Sequence, residues 1–215
     1  MHDKKLLAAL ILFSGFIVAD KQSFAAEIFL GITAQQSTLF ISDADTLDDL
    51  AEMENELYFL PTLSARSENN YINPDSDWGY FLESNIGYYR VDRQVVNGKA
   101  IKLGTKLSGL YWDLTPTIFY NFGSKTRENW GFKAGLGIGA GYLSVSGKVV
   151  LTELAGQPTV SYDDHGYGFT VGLFFEAIKD DLFFQIKGYG PDIKSGNEEL
   201  QLANIKLTFG KTFTF

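Results

Sequence analysis

The chain has 215 residues, 18 basic and 26 acidic side chains, 22 glycines, 15% aromatic content and no cysteine. Its net charge of −8 argues against a nucleic-acid partner, whose affinity rests on basic contacts to phosphate. The lack of cysteine excludes a disulfide scaffold, and neither a His/Cys metal cluster nor a phosphate loop or nucleotide fingerprint is present, so no cofactor is expected.

In chain order, residues 1–25 come first. Lys4 and Lys5 precede an apolar run from Leu6 to Ala19, and Ser23-Phe24-Ala25 sets small residues at the −3 and −1 positions of a cleavage site. This is the layout of a secretory signal peptide, with an apolar run too short to span a bilayer as a helix. Cleavage after Ala25 removes Lys4, Lys5, Lys21, Asp3 and Asp20, leaving 190 residues with 15 basic against 24 acidic, a charge of −9. No later stretch reaches the apolar length of a transmembrane helix. Residues 26–215 are expected to form one all-β domain.

Period-2 alternation dominates that domain. Trp78, Tyr80, Leu82, Ile86 and Tyr88 share one face against Gly79, Phe81, Glu83, Asn85 and Gly87. Trp130, Phe132, Ala134, Leu136, Ile138, Ala140 and Tyr142 oppose Gly131, Lys133 and glycines 135, 137, 139 and 141. Tyr167, Phe169, Val171, Leu173 and Phe175 follow the same rule, as do Ile205, Leu207, Phe209, Phe213 and Phe215. Trp130 and Tyr142 bound one apolar face; at ~3.3 Å per residue and ~40° tilt they stand roughly 30 Å apart along a membrane normal, the spacing of two aromatic girdles. The pattern predicts an antiparallel transmembrane β-barrel of eight strands at about 27–40, 56–66, 78–96, 99–122, 129–153, 159–178, 181–190 and 203–215, with ten strands as the alternative. Gly123 to Glu128 and Lys179-Asp180 are read as short periplasmic turns, Ser67 to Asp77 as an unusually long one, and 42–55 and 191–202 as external loops. Asn97-Gly98 and Ala155-Gly156-Gln157-Pro158 read as tips of external hairpins that prolong their strands, and the change of apolar phase between Leu107 and Leu110 reads as a bulge.

The chain closes on Thr208-Phe209-Gly210-Lys211-Thr212-Phe213-Thr214-Phe215. This resembles the C-terminal signal of Gram-negative outer-membrane β-barrels, with Gly210, Phe213 and Phe215 as the matching positions. The resemblance implies insertion by the barrel assembly machinery. In plan the chain is similar to the small OmpA/OmpX/OmpW-type barrels, which implies an outer-membrane location amid lipid and lipopolysaccharide and names no activity.

Three constellations could carry chemistry. Inward positions hold Glu83, Asn85, Asn121, Lys133, Glu176, Gln185, Lys187 and Lys206, either a self-plugging network or the lining of a narrow path. The inward glycines leave a hollow for bulky side chains such as Phe81, Tyr111 or Phe119, or for a ligand. Asp43, Asp45, Asp48, Asp49, Glu52, Glu54 and Glu56 form an acidic stretch in which Leu47, Leu50, Ala51 and Leu57 recur at helical spacing. It reads as a solvated loop with a short helix, or as a site for a divalent cation or a basic partner. His165 lies near Ser161, Asp163 and Asp164, the residue types of a lipid-active hydrolase. Three functions therefore stand open: a non-enzymatic surface or envelope interaction protein with a filled lumen, a small porin-like channel for ions or apolar solutes, and a lipid-modifying enzyme.

Overall fold

The computed structural model describes residues 26–43, 49–96, 99–101, 104–150 and 159–214. The expected signal segment, both external turns (Asn97-Gly98 and 155–158) and Phe215 lie outside them. The described residues form strands β1 (Ala26–Asp43), β2 (Asp49–Glu54), β3 (Tyr58–Ser67), β4 (Asn70–Tyr71), β5 (Trp78–Val91), β6 (Arg93–Val96), β7 (Lys99–Ile101), β8 (Lys106–Asn121), β9 (Gly131–Val150), β10 (Thr159–Lys179), β11 (Leu182–Ser195) and β12 (Glu198–Thr214). Eight of these, β1, β3, β5, β8, β9, β10, β11 and β12, pair in succession, and β12 returns to β1 from Glu27↔Thr214 to Asp43↔Glu198. The antiparallel ring closes on itself, with its shortest seam between β3 and β5, paired from Leu63↔Ile86 to Arg66↔Glu83. At the closing seam Gly31 opposes Gly210, where a Cβ on Gly210 would lie 2.0 Å from the Leu30 carbonyl oxygen.

The external end is more elaborate than alternation suggested. β3 pairs with β1 only as far as Gln35↔Tyr58; beyond it β2 takes over, from Thr38↔Glu54 to Ser42↔Asp49. Asn55 spans the exchange, its Oδ1 accepting from the Ser37 N–H at 2.7 Å. The helix expected in the acidic stretch is thus, within the described residues, a strand at 49–54, while Asp45, Leu47 and Asp48 lie outside them. Its reason is local: Ala51 and Met53 alternate with Glu52 and Glu54, and Met53 is fully buried against the external core. The β5/β8 pair does not run on into its hairpin either. It ends at Val91↔Leu107, and β6 and β7 form a separate hairpin laid on β2 through Met53↔Gln94.

Two connections differ from expectation. Residues 191–202 are not a long loop: β11 runs to Ser195, Gly196-Asn197 turns, and β12 starts at Glu198. Gly196 takes φ 60°, the positive value that the first position of a type II′ hairpin turn requires. Pro191, the apparent loop starter, sits within β11 opposite Thr170. The long periplasmic segment after β3 is folded, since β4 returns along β5 (Tyr71↔Gly79) and seats Tyr71 edge-on against Phe119 at 5.6 Å.

The suspected bulge between Leu107 and Leu110 is absent, because β5–β8 pairing keeps one register from Trp78↔Tyr120 to Val91↔Leu107. Leu107 points inward and Leu110 outward. The apolar face changes sides there because the bore above that level is filled by hydrocarbon, while below it the hydrocarbon lies outside.

Candidate functional site: the filled bore and the outward wall

The outward wall explains where the barrel sits. Phe59 is 70% exposed, Ile32 66%, Ile205 65% and Leu173 63%, and these positions run around the ring as a continuous apolar band. No water-facing surface supports such a band on every wall of a soluble domain. Aromatic pairs bound it, Trp78 with Tyr120 at 5.2 Å on the periplasmic side and Tyr142 with Tyr167 at 5.0 Å on the outer side. The chain has the fold of an outer-membrane-type transmembrane β-barrel. A hollow of about 970 Å³ opens on this lipid-facing wall between Trp78, Tyr80, Ile118, Leu136, Leu173 and Ile186, and it also touches the inward-facing Phe81, Thr117 and Phe174.

Inside the barrel, side chains stack in layers. The periplasmic half centres on Arg66, whose guanidinium lies between the rings of Phe29 (4.4 Å) and Phe81 (4.1 Å). It pairs with Glu176 at 2.9 Å and Glu83 at 3.8 Å. Lys187 joins Glu83 at 3.1 Å, Lys133 joins Glu176 at 3.8 Å, and the Gln185 amide donates to Glu176 at 3.3 Å. Charges in so dry a space persist only when paired, and this cluster pairs both carboxylates more than once. Near the periplasmic mouth Arg127 holds Glu27 and Thr212.

At mid-height the Asn85 amide donates to Asp113 at 2.8 Å, and Lys206 donates to the Tyr111 hydroxyl. Higher still, Gln35 and Ser37 donate to the side-chain Oδ1 of Asn204 at 3.0 and 2.6 Å. Above them the external end is packed with hydrocarbon: Leu39, Val91, Leu107, Leu143, Leu200 and Leu202 are fully buried in one cluster. A cavity of about 10 Å³ between Glu83, Asp113, Thr170 and Tyr189 has room for roughly one water.

All eight inward residues named from the sequence are buried. Glu83, Lys133, Glu176, Gln185 and Lys187 meet around Arg66; Asn85 and Lys206 serve the middle layer, and Asn121 bonds locally to the Gly123 carbonyl at 2.8 Å. The sequence reading missed Arg66, the hub itself, and Asp113. Ser64 and Arg66 opposite Leu63 and Ala65 carried the signal, at the end of a short strand. Phe81, Tyr111 and Phe119 do not fill the glycine run of β9. A Cβ on Gly135 would meet Phe174 at 2.6 Å, one on Gly137 would meet Thr117, and one on Gly141 would meet Pro191. Tyr111 instead covers Gly87, and Phe119 covers Gly79.

The hydrolase constellation is not assembled. Neighbouring residues of a strand face opposite sides, so Asp164 points inward to Ser195 while Ser161, Asp163 and His165 face out. No hydrogen bond joins the His165 ring to Ser161, Asp163 or Asp164; the ring lies 6.4 Å from Tyr142 instead. Among the described residues no group of three His, Cys, Asp or Glu is placed to hold a metal ion.

No family model matches the sequence, and no curated protein matches it. Among solved structures the barrel is similar to Ail, the attachment invasion locus protein of Yersinia pestis (13% identity, TM-score 0.42, 87% of this chain and 99% of that one). It is also similar to the outer membrane protein OprG from Pseudomonas aeruginosa (15%, 0.42, 88% and 95%). The Escherichia coli outer membrane protease OmpT is a third (6%, 0.41, 89% and 96%).

Proposed function

We propose that the barrel is a non-enzymatic surface protein of the envelope, acting through its external sheet and not through its bore. The observation that carries this reading is the double filling of the lumen. An ionic layer around Arg66 lies below, and a hydrocarbon plug including Leu39, Leu107 and Leu200 lies above. A conducting path would need polar walls and a continuous bore at both levels. The outward elaboration, β2 with the β6–β7 hairpin laid on it, supplies a folded platform beyond the lipid band. The C-terminal Gly210, Phe213 and Phe215 pattern fits delivery by the barrel assembly machinery.

Reconstitution of the mature chain in planar bilayers tests the reading. Membranes containing heat-modifiable, folded protein are expected to show no discrete conductance steps at an applied potential of roughly 100 mV. Reproducible steps would establish the channel reading in its place.

A further inference from the structure

The lipid-facing wall is indented on one side. Outward positions of five neighbouring strands, β5, β8, β9, β10 and β11, share the hollow of about 970 Å³. Its sides are the exposed Trp78, Tyr80, Ile118, Leu136, Leu173 and Ile186. Its floor is made of short side chains, Pro116 on β8, Ala134 on β9 and Gly188 on β11. A Cβ added to Gly188 would meet nothing within 4 Å. A barrel wall of full-sized outward residues is convex; this one is hollowed because these outward positions lack bulk.

The wall is also thin there. The β8–β9 ladder passes from Leu114↔Ala140 to Thr117↔Gly137 without pairing Thr115 and Pro116, and Pro116 has no N–H to donate. Gly135 of the inward face also lines the hollow, which reaches the buried rings of Phe81 and Phe174. A Cβ on Gly135 would stand 2.6 Å from the Phe174 ring, so that ring closes the window from inside. The hollow starts at the Trp78–Tyr120 girdle pair and runs up β8 to Pro116 and up β9 from Ala134 to Ile138. Four residues at ~3.3 Å each and ~40° tilt rise about 10 Å, close to half of the roughly 25 Å apolar band. The hollow therefore spans one leaflet, from the periplasmic girdle to the midplane.

We propose that this hollow seats the two acyl chains of a zwitterionic phospholipid from the periplasmic leaflet. Depth decides the leaflet, because a lipid of the other leaflet anchors at the Tyr142–Tyr167 girdle and only its tail ends come this far. Size decides the number of chains. At roughly 30 Å³ for a methylene-sized group, the share of a water in its liquid, the hollow takes about 30 such groups. That is the content of two chains of common length. The lining is hydrocarbon and aromatic ring, Thr117 excepted, as a hydrocarbon occupant requires. At the mouth Asp77, next to Trp78, pairs with Lys125 at 3.4 Å, which gives a headgroup of two opposite charges one partner for each. The assignment rests on the membrane placement of the apolar band.

The test uses the full mature chain folded in neutral detergent micelles and titrated with phosphatidylethanolamine, bound lipid being counted by native mass spectrometry. Insertion into vesicles is read separately by heat-modifiable migration, and a wild-type chain that does not insert overturns the membrane placement itself. Wild type is expected to retain one lipid per barrel, saturably. Ala134→Leu and Gly188→Leu each push a side chain into the hollow and should bind at least about tenfold more weakly, as the loss of a few methylene contacts implies. Two positions are used so that a variant that misfolds leaves the other to decide. Ala34→Leu, on the outward face of β1 across the barrel, should bind as wild type does. Lysophosphatidylethanolamine, with the same headgroup and one chain, should bind wild type at least about tenfold more weakly for the same reason. Equal affinity of the filled variants and wild type, an equal loss in Ala34→Leu, or equal binding of the one-chain lipid overturns the proposal. So does a second barrel found on this wall in place of the lipid.

Discussion

Arg66 on β3 donates across the bore to Glu176 on β10 at 3.0 Å, joining two strands that share no ladder. The pair is a strut, and its rings and ion partners leave no water to replace it. Arg66→Ala would leave Glu83 and Glu176 each with a single lysine partner in a dry interior, and removal of one partner of a buried pair costs about 3–5 kcal/mol. Arg66→Lys keeps the charge but loses the two-pronged contact with Glu176, so it should cost less. Urea unfolding of the barrel in detergent micelles measures both. An Arg66→Ala loss below about 1 kcal/mol, the scale of an exposed pair, would refute the strut.

Gly87 on β5 lies beneath Tyr111, where an added Cβ would stand 1.9 Å from the tyrosine oxygen. Tyr111 is fully buried and packs on Tyr189 at 5.4 Å, so it has no free space to enter. Gly87→Ala should destabilise by about 1–3 kcal/mol, the ordinary range for overpacking. Tyr111→Leu in the same chain should recover part of that loss, because the shorter side chain vacates the clash. If the double variant is as unstable as the sum of the singles, the contact is not what makes Gly87 necessary.

Much of this architecture was legible from period-2 alternation, because a barrel strand meets lipid on one side and its own interior on the other. The same logic explains where the reading fell short. On β8 the apolar residues move from outside at Leu110 to inside at Leu107, on β1 from Ile32 to Leu39, and on β12 from Ile205 to Leu202. A register slip also inverts phase, so one such inversion is ambiguous. Inversions on several strands at one level mark the place where hydrocarbon passes from the outer wall to the external core. The acidic stretch misled for another reason: Leu50, Ala51 and Leu57 fit a helical stripe, while partnership with β1, invisible in one sequence, decided for strand. His165 was a matter of facing, since alternation alone separates it from Asp164.

The β10–β11 connection makes a sharper local test. Asp180 holds φ 51° in a two-residue turn closed by Lys179↔Leu182, and its N–H donates to the Arg127 carbonyl at 2.7 Å. Asp tolerates this conformation better than most residues, and Gly better still. Asp180→Gly should stabilise the barrel by about 0.5 kcal/mol, while Asp180→Val should cost roughly 1–2 kcal/mol, since a branched side chain clashes there. Both keep the turn's backbone hydrogen bond, so the opposite signs isolate the dihedral. Equal stability of the two variants in urea would contradict the assignment.

The external end should also be sensitive to pH through Asp192. On β11 the outward positions pass from Ile186 through Gly188 and Gly190 to Asp192, which therefore lies above the lipid band beside Glu199 of β12. Partial burial, a hydrogen bond with Glu199 and that residue's charge push the Asp192 carboxyl from its ordinary 3.8 up to about 6, against a smaller opposing pull from Lys194. The folded barrel then binds a proton over a range in which the unfolded chain has released it. The resulting stabilisation is present in full below pH ~4 and is lost as pH rises through about 6. Asp192→Asn cannot lose a proton, so its stability curve should be flatter across that window. Relative to wild type it should therefore gain stability between pH 4 and pH 7.5. Urea midpoints at pH 4, 5, 6 and 7.5 decide the matter: parallel curves for wild type and Asp192→Asn would show that the carboxyl titrates alike in the folded and unfolded chain.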